Sequence, residues 1–237
     1  MTWLDYAVTR STQTQNIGAN YAVTSGSYFP VVSAIFVGLL IISNVGATKL
    51  ISAGPLIVDG GAFLFPLVYI TGDVLTEVYG FRAARRVILV GFAMAVLSAI
   101  TFLLIQVSPS APGWDNQAAF ESILGFVPRI VFASVCGFLL GQILNSYVLA
   151  KIKQRTKESA LWFRLIGSTV VGELADTLVF CTIAFYGILT GGDFINYVVV
   201  GYLYKTLLEV VLLPITYRVV AFVKANETTY VSHTETV

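Results

Sequence analysis

Along this chain the apolar positions run together in blocks of about 20 residues instead of alternating every second residue or spacing at 3.6. Blocks of that length suit helices that cross a bilayer. Six are predicted: about 30–51, 61–80, 87–107, 129–150, 165–189 and 198–223. Polar segments flank them. Residues 1–29 are rich in Ser, Thr, Asn and Gln, and 225–237 form a second polar tail. Gly54, Pro55, Asp59, Gly60 and Gly61 read as a turn, and Gly191, Gly192, Asp193 and Asn196 as another. Segment 108–128 reads as a loop with an interfacial Trp114 and a short surface helix over about 118–124.

Composition agrees. Of the 237 residues, 57% are hydrophobic and 11% charged, where soluble domains carry about 25% charged residues. The expected fold is therefore an all-α integral membrane protein with six transmembrane helices over 30–224, in a cytoplasmic (inner) membrane. No signal-peptide pattern opens the chain. A net charge of +1 without a basic, aromatic-laced face speaks against a nucleic-acid partner. The two cysteines, Cys136 and Cys181, stand alone in apolar runs, and the one histidine, His233, is in the tail. No metal site, no cofactor and no catalytic residue is expected, and so no enzyme.

Charge also sets the expected orientation. With both termini cytoplasmic, the inner segments hold Arg10, Arg82, Arg85, Arg86, Lys151, Lys153, Arg155, Lys157, Arg164, Arg218 and Lys224, eleven of the fourteen basic residues. The other three, Lys49, Arg129 and Lys205, fall within spans or at a boundary, toward the outer half.

The candidate chemistry lies in the polar residues of the spans. A carboxylate at membrane depth costs roughly 2.5–3.5 kcal/mol on insertion scales. Yet Asp73 and Glu77 share a face of the second span, Glu173 and Asp176 a face of the fifth, and Glu209 lies one turn after Lys205 on the sixth. Asn44, Gln142 and Asn145 add amides. An i,i+4 ion pair between Lys205 and Glu209 is one reading of those two residues, and Glu77 is placed to pair with Arg82, Arg85 or Arg86. Lipid cannot host so many polar groups, so they are expected to face one shared interior. The expected substrate-binding set is Asn44, Tyr69, Asp73, Gln142, Asn145, Glu173, Asp176, Phe180, Lys205 and Glu209. Lys49 and Arg129 would form an outer cationic approach, and Asp73 or Asp176 would take up a coupling proton. Aromatic faces, amides and carboxylates suit a flat heteroaromatic ligand, though sugars or amino acids could use similar groups. Pro66, seven residues before Asp73, is placed to kink the second helix.

Several motifs, in order, carry a family resemblance. Phe65-Pro-Leu-Val-Tyr-Ile-Thr-Gly-Asp-Val-Leu-Thr-Glu-Val-Tyr-Gly80 with the Ala-Arg-Arg run ending at Arg86 resembles the signature of the queuosine precursor transporter family, also called the vitamin uptake transporter family. Ser43-Asn-Val-Gly-Ala-Thr-Lys49 resembles its first-span motif. Arg129-Ile-Val-Phe-Ala-Ser134 with Gly141-Gln-Ile-Leu144, Gly172-Glu-Leu-Ala-Asp-Thr177 with Phe180, and Tyr204-Lys205 with Glu209 and Pro214 resemble the later ones. The resemblance implies six helices and uptake of 7-deazaguanine precursors of queuosine, such as the 7-cyano and 7-aminomethyl bases. It further implies similarity to the substrate-binding subunits of energy-coupling-factor importers, so an ATP-driven binding subunit for a vitamin or nucleobase is the alternative. Asn145 stands where the family usually has Asp. The expected partners are a small purine-like solute and membrane lipid, with a homodimer left open.

Overall fold

In the computed structural model, residues 21–26, 28–156 and 161–230 are described. Among these residues seven helices and one hairpin follow each other: α1 Phe29–Gly46, β1 Leu50–Ala53, β2 Leu56–Asp59, a 3-10 turn Gly60–Phe63, α2 Phe65–Tyr79, α3 Phe81–Gln106, α4 Gln117–Leu124, α5 Val127–Thr156, α6 Leu161–Phe185 and α7 Gly191–Asn226. The protein is a largely helical integral membrane protein. Among the described residues, four stretches are long and apolar enough to cross a bilayer: Phe29–Gly46, Phe81–Gln106, Gln117–Gly141 and Gly191–Asn226. Their outward faces are apolar, with Leu103, Leu104, Leu207, Val210 and Val211 all exposed. Such surface is stable against lipid and unfavourable against water.

The expected first and second spans differ from the observed elements. The first helix stops at Gly46, and residues 50–59 fold into a two-stranded antiparallel hairpin with Leu50 opposite Asp59 and Ala53 opposite Leu56. Gly54 turns it at φ +63°, a conformation that Gly adopts without strain. The hairpin lies against α7, where Asn196 donates from Nδ2 to the Pro55 carbonyl and accepts from the Ile57 amide on Oδ1. Gly60 then passes so close to α1 that a Cβ there would stand 2.5 Å from the Gly46 carbonyl oxygen. After this turn α2 has only 15 residues, about 22 Å of rise, short of a hydrocarbon core of about 30 Å. Pro66 sits in its first turn, where the missing N–H is harmless, so it starts α2 and does not kink it. Pro214 lies inside α7, which continues through it. The basic stretch read as a loop, 81–86, is the first turns of α3, and the turn read at 191–196 is the start of α7.

Among the described residues three apolar clusters hold the bundle: Ala95, Ala99, Val127 and Val131 form a small one between α3 and α5, and two larger ones lie toward the ends. At the basic end Phe36, Val74, Leu75, Val78, Tyr79, Ala84, Val87, Val220 and Val223 pack together. At the hairpin end Ala47, Ile130, Ala133, Phe180, Cys181, Ala184, Phe185 and Tyr197 do so. Both cysteines are free.

The described parts of the two polar tails close the basic end. Ala22 donates its amide to the Val78 carbonyl at 2.8 Å. Glu227, just after α7, is buried and accepts from the Tyr79 hydroxyl at 2.8 Å and the Tyr28 amide at 3.1 Å. Thr229 donates its hydroxyl to Glu227 and accepts the Val23 amide. Burial pushes the Glu227 carboxyl up, but the hydrogen bonds from Tyr79, Tyr28 and Thr229 outweigh it and hold the group below the usual carboxylate range. Its contribution is therefore present above the unfolded value of about 4.3 and is lost as pH falls through the lower folded value. Glu227→Ala is expected to speed amide exchange at Ala22 and Tyr28 by about tenfold or more, because it strands a buried hydroxyl and an amide. Unchanged exchange at both amides would contradict this closure.

Candidate functional site

Between the two larger apolar clusters lies a cavity of about 380 Å³, sharing Phe36 with the first and Ala47 and Phe180 with the second. That volume is within the range of small-molecule sites, roughly 300–1,000 Å³. Among the described residues five carboxylates line it, Asp59, Asp73, Glu173, Asp176 and Glu209, with a single cation, Lys205.

Lys205 comes from the middle of α7 and is buried. Its ammonium pairs with Asp176 of α6 at 2.7 Å and lies 4.7 Å from the Phe65 ring centroid and 5.8 Å from that of Phe180. The ion pair thus crosses from α7 to α6 and does not run along α7 to Glu209. Ion pair and aromatic faces share one desolvated site, where each interaction is stronger than in water. Next to it Tyr69 of α2 donates to Glu173 of α6 at 3.0 Å, and its ring stacks on Phe65 at 5.9 Å. Glu173 keeps its other oxygen, Oε2, without a hydrogen-bond partner. Asn44 of α1 accepts from Ser134 at 2.9 Å, while its Nδ2 has no partner either. Unpaired buried polar atoms cost free energy. Both residues line the cavity, the two atoms themselves being buried at its wall.

The close approach of α5 to α6 positions the acids. A Cβ on Gly137 would stand 2.8 Å from Asp176 Oδ1, and one on Gly141 2.9 Å from the Gly172 carbonyl oxygen. Small residues let helices in lipid pack backbone to backbone. Asp176 and Glu173 therefore project from a helix with little freedom to shift.

Of the expected site residues, Asn44, Tyr69, Asp73, Glu173, Asp176, Phe180, Lys205 and Glu209 all line this cavity. The side chains of Gln142 and Asn145 lie outside the described residues. Lys49 and Arg129 are not among the lining residues. Lys49 is exposed beside the hairpin. Arg129 donates from Nε to the Ile183 carbonyl at 2.6 Å and from a terminal nitrogen to the Tyr186 carbonyl at 2.7 Å, satisfying the end of α6. Glu77 pairs with Lys224 at 3.8 Å on the surface, and not with the arginines of α3.

This chain shares its sequence with a described family. Residues 59–219 match the family model described as "Putative vitamin uptake transporter". The chain is 30% identical over 188 residues to the "Probable queuosine precursor transporter" of Bacillus subtilis (strain 168), covering 78% of this chain and 81% of that relative. The chain belongs to the queuosine precursor (vitamin uptake) transporter family. Relatives also include the "Queuosine precursor transporter" of Escherichia coli (strain K12), 29% identical over 154 residues, 64% of this chain and 67% of that protein. No solved structure matches the chain. The family is one of membrane transporters, not enzymes.

Within this family member the sequence reading missed Asp59. It stands at the end of β2, where Tyr197 donates to it at 2.6 Å and the Gly61 amide at 2.8 Å. Burial pushes its carboxyl above the ordinary range, against those two hydrogen bonds and the charge of Lys205. The glycine-rich sequence around it signals a turn, and nothing local says that the turn folds inward. Ser134 and Phe65 also line the cavity, and each lies inside a motif that carries the family resemblance.

Proposed function

We propose that the chain imports 7-deazaguanine precursors of queuosine, the 7-cyano or 7-aminomethyl bases, as a secondary, proton-linked transporter. The cavity carries this reading. Its aromatic faces, Phe65, Tyr69 and Phe180, suit a flat ring. The Glu173 carboxylate can accept from the N1–H and 2-amino edge of a guanine-like base through its two oxygens, and the Asn44 amide can donate to its carbonyl. The names of the Bacillus subtilis and Escherichia coli relatives point the same way.

In this reading the chain passes a cytoplasmic membrane six times, one pass being the 3-10 turn with the short α2, and both termini are cytoplasmic, because eleven of fourteen basic residues then lie inside. The hairpin faces outward, and the closure built on Glu227 faces the cytoplasm. The cavity groups bind the base, and a midplane acid takes up the coupling proton. Asp176 is held by Lys205, whereas no cation pairs with Asp73, so Asp73 is the better placed of the two.

The purified chain in proteoliposomes is expected to take up 7-cyano-7-deazaguanine, with guanine and riboflavin as weaker competitors, and an imposed pH gradient is expected to change the rate. Uptake indifferent to the gradient would remove the proton linkage, and no uptake or binding would remove the substrate assignment. The energy-coupling-factor alternative has one observation behind it: Ala34 is exposed on α1, and a Cβ on Gly38 would meet nothing, so a small-residue strip is open to a partner. Uptake by the chain alone argues against that alternative.

A further inference from the structure

The charge of the cavity is unbalanced. Its five carboxylates face one lysine. The other cations of the spans give no relief, since Arg129 is bound to the carbonyls of Ile183 and Tyr186 and Lys49 is exposed away from the lining. Three of the acids are partnered: Asp176 by Lys205, Glu173 by Tyr69, and Asp59 by Tyr197 and the Gly61 amide. Asp73 of α2 and Glu209 of α7 are not. Among the described residues no hydrogen bond reaches either carboxylate and no cation pairs with it. Both line the same cavity, from α2 and α7, which pack against each other. Asp73 is exposed and Glu209 half-buried, and two unpaired anions lining one cavity favour a counter-charge from outside the protein.

A second, independent feature lies beside the acids: unpartnered polar atoms in the cavity wall. Asn44 is 6% exposed, lines the cavity and leaves Nδ2 unpartnered, and Glu173 Oε2 is likewise unpartnered. Those groups serve the neutral edges of a ring, and Phe65, Tyr69 and Phe180 its faces. None of them needs the ligand to be charged, so with a neutral base Asp73 would serve only the coupling proton proposed above and Glu209 would have no task.

We propose that Asp73 and Glu209 together seat a primary ammonium carried by the ligand, so that the site selects a flat nitrogen heterocycle bearing a cationic amine over its uncharged counterpart. The reading rests on the purine-like substrate proposed above and divides the site into two halves. Glu173, Asn44 and the aromatic rings orient the base. The acid pair from α2 and α7 receives the amine, each carboxylate accepting a charge-assisted hydrogen bond. Bound in this way, the ligand ties α2 to α7 across the cavity.

The test compares two probes on the purified full chain in detergent, 7-aminomethyl-7-deazaguanine, which is cationic at neutral pH, and neutral 7-cyano-7-deazaguanine. It is run in sodium and again in choline buffer. The aminomethyl base is expected to bind at least about tenfold more tightly in both buffers. In Asp73→Asn and in Glu209→Gln the ratio of the two affinities is expected to fall toward one, whatever happens to either affinity alone. If the cyano base binds as tightly as the aminomethyl base, the amine seat is wrong while the substrate assignment stands. If the cyano base binds as tightly and only in sodium, the acid pair is a sodium site and the proposal is overturned. If the preference survives in both variants, the amine lies elsewhere. If neither base binds, the substrate assignment falls, and the amine seat with it.

Discussion

Lys205→Met is expected to be the most damaging single substitution in the cavity. It leaves the Asp176 carboxylate, now held at 2.7 Å, without its counter-charge inside the bundle. Breaking a buried pair from one side typically costs about 3–5 kcal/mol, because a desolvated charge is left behind. The loss also removes the cation from beside Phe65 and Phe180 and from an already acidic cavity. Thermal unfolding in detergent is expected to shift well down, and uptake to vanish. The double variant Lys205→Met with Asp176→Asn separates the two effects. Neutralising both partners is expected to recover most of the stability, since replacing a buried pair by neutral groups is often nearly neutral. Uptake is expected to stay lost if Lys205 serves the ligand. A Lys205→Met protein as stable as the parent would contradict the buried pair.

Gly141→Val is expected to have the second largest effect, through packing and not charge. A Cβ at 141 would already stand 2.9 Å from the Gly172 carbonyl oxygen and 3.0 Å from the Asp176 Cβ. The first of these is backbone and cannot rotate away, so α6 must move. Overpacking of this kind costs about 1–3 kcal/mol. The larger consequence is for the site, because the displaced segment carries Glu173 and Asp176, and with Asp176 the position of Lys205. Ligand affinity is expected to fall further than the stability loss alone explains. Gly137→Val should behave similarly, with Asp176 Oδ1 as the first obstacle. Gly38→Ala is the control: nothing lies within 4 Å of the added Cβ, and removing a helix-interior glycine should stabilise by about 0.5–1 kcal/mol. Equal affinities for the Gly141→Val and Gly38→Ala proteins would show that the α5–α6 approach does not position the acids.

Much of the candidate site is legible in the sequence alone, for one reason. Charged residues in an apolar run stand out, and the bilayer leaves them nowhere to go but inward. Asp73, Glu173, Asp176, Lys205 and Glu209 were all visible in this way, and they do line one cavity. Asn44, Tyr69 and Phe180 came with them through their place in the same spans. Asp59 was hidden by the opposite circumstance. It sits among Gly54, Pro55, Gly60 and Gly61, where polar residues are ordinary and carry no signal. The four-residue strands beside it are too short for any period to show. Glu227 was hidden likewise, as one polar residue in a polar tail, although Tyr79 and Tyr28 draw it into the interior.

Pairing is where sequence and structure part. The spacing of Lys205 and Glu209 allows an ion pair along one helix, yet Lys205 turns to Asp176 on another. Glu77 reaches Lys224 at the far end of the chain, not the arginines nearest in sequence. Arg129, a natural partner for the acids by depth, is consumed by carbonyls at the end of α6. The sequence by itself determined that this is a helical membrane protein with an acidic interior, because hydrophobic run length and the cost of charge in lipid are local properties. Only the tertiary structure decided which acids are neutralised and which are left open. Helical period places residues on a face, but the rotation and approach of α2, α6 and α7 determine which faces meet. Glycines such as Gly137 and Gly141 set that approach through backbone contacts that no side-chain pattern records.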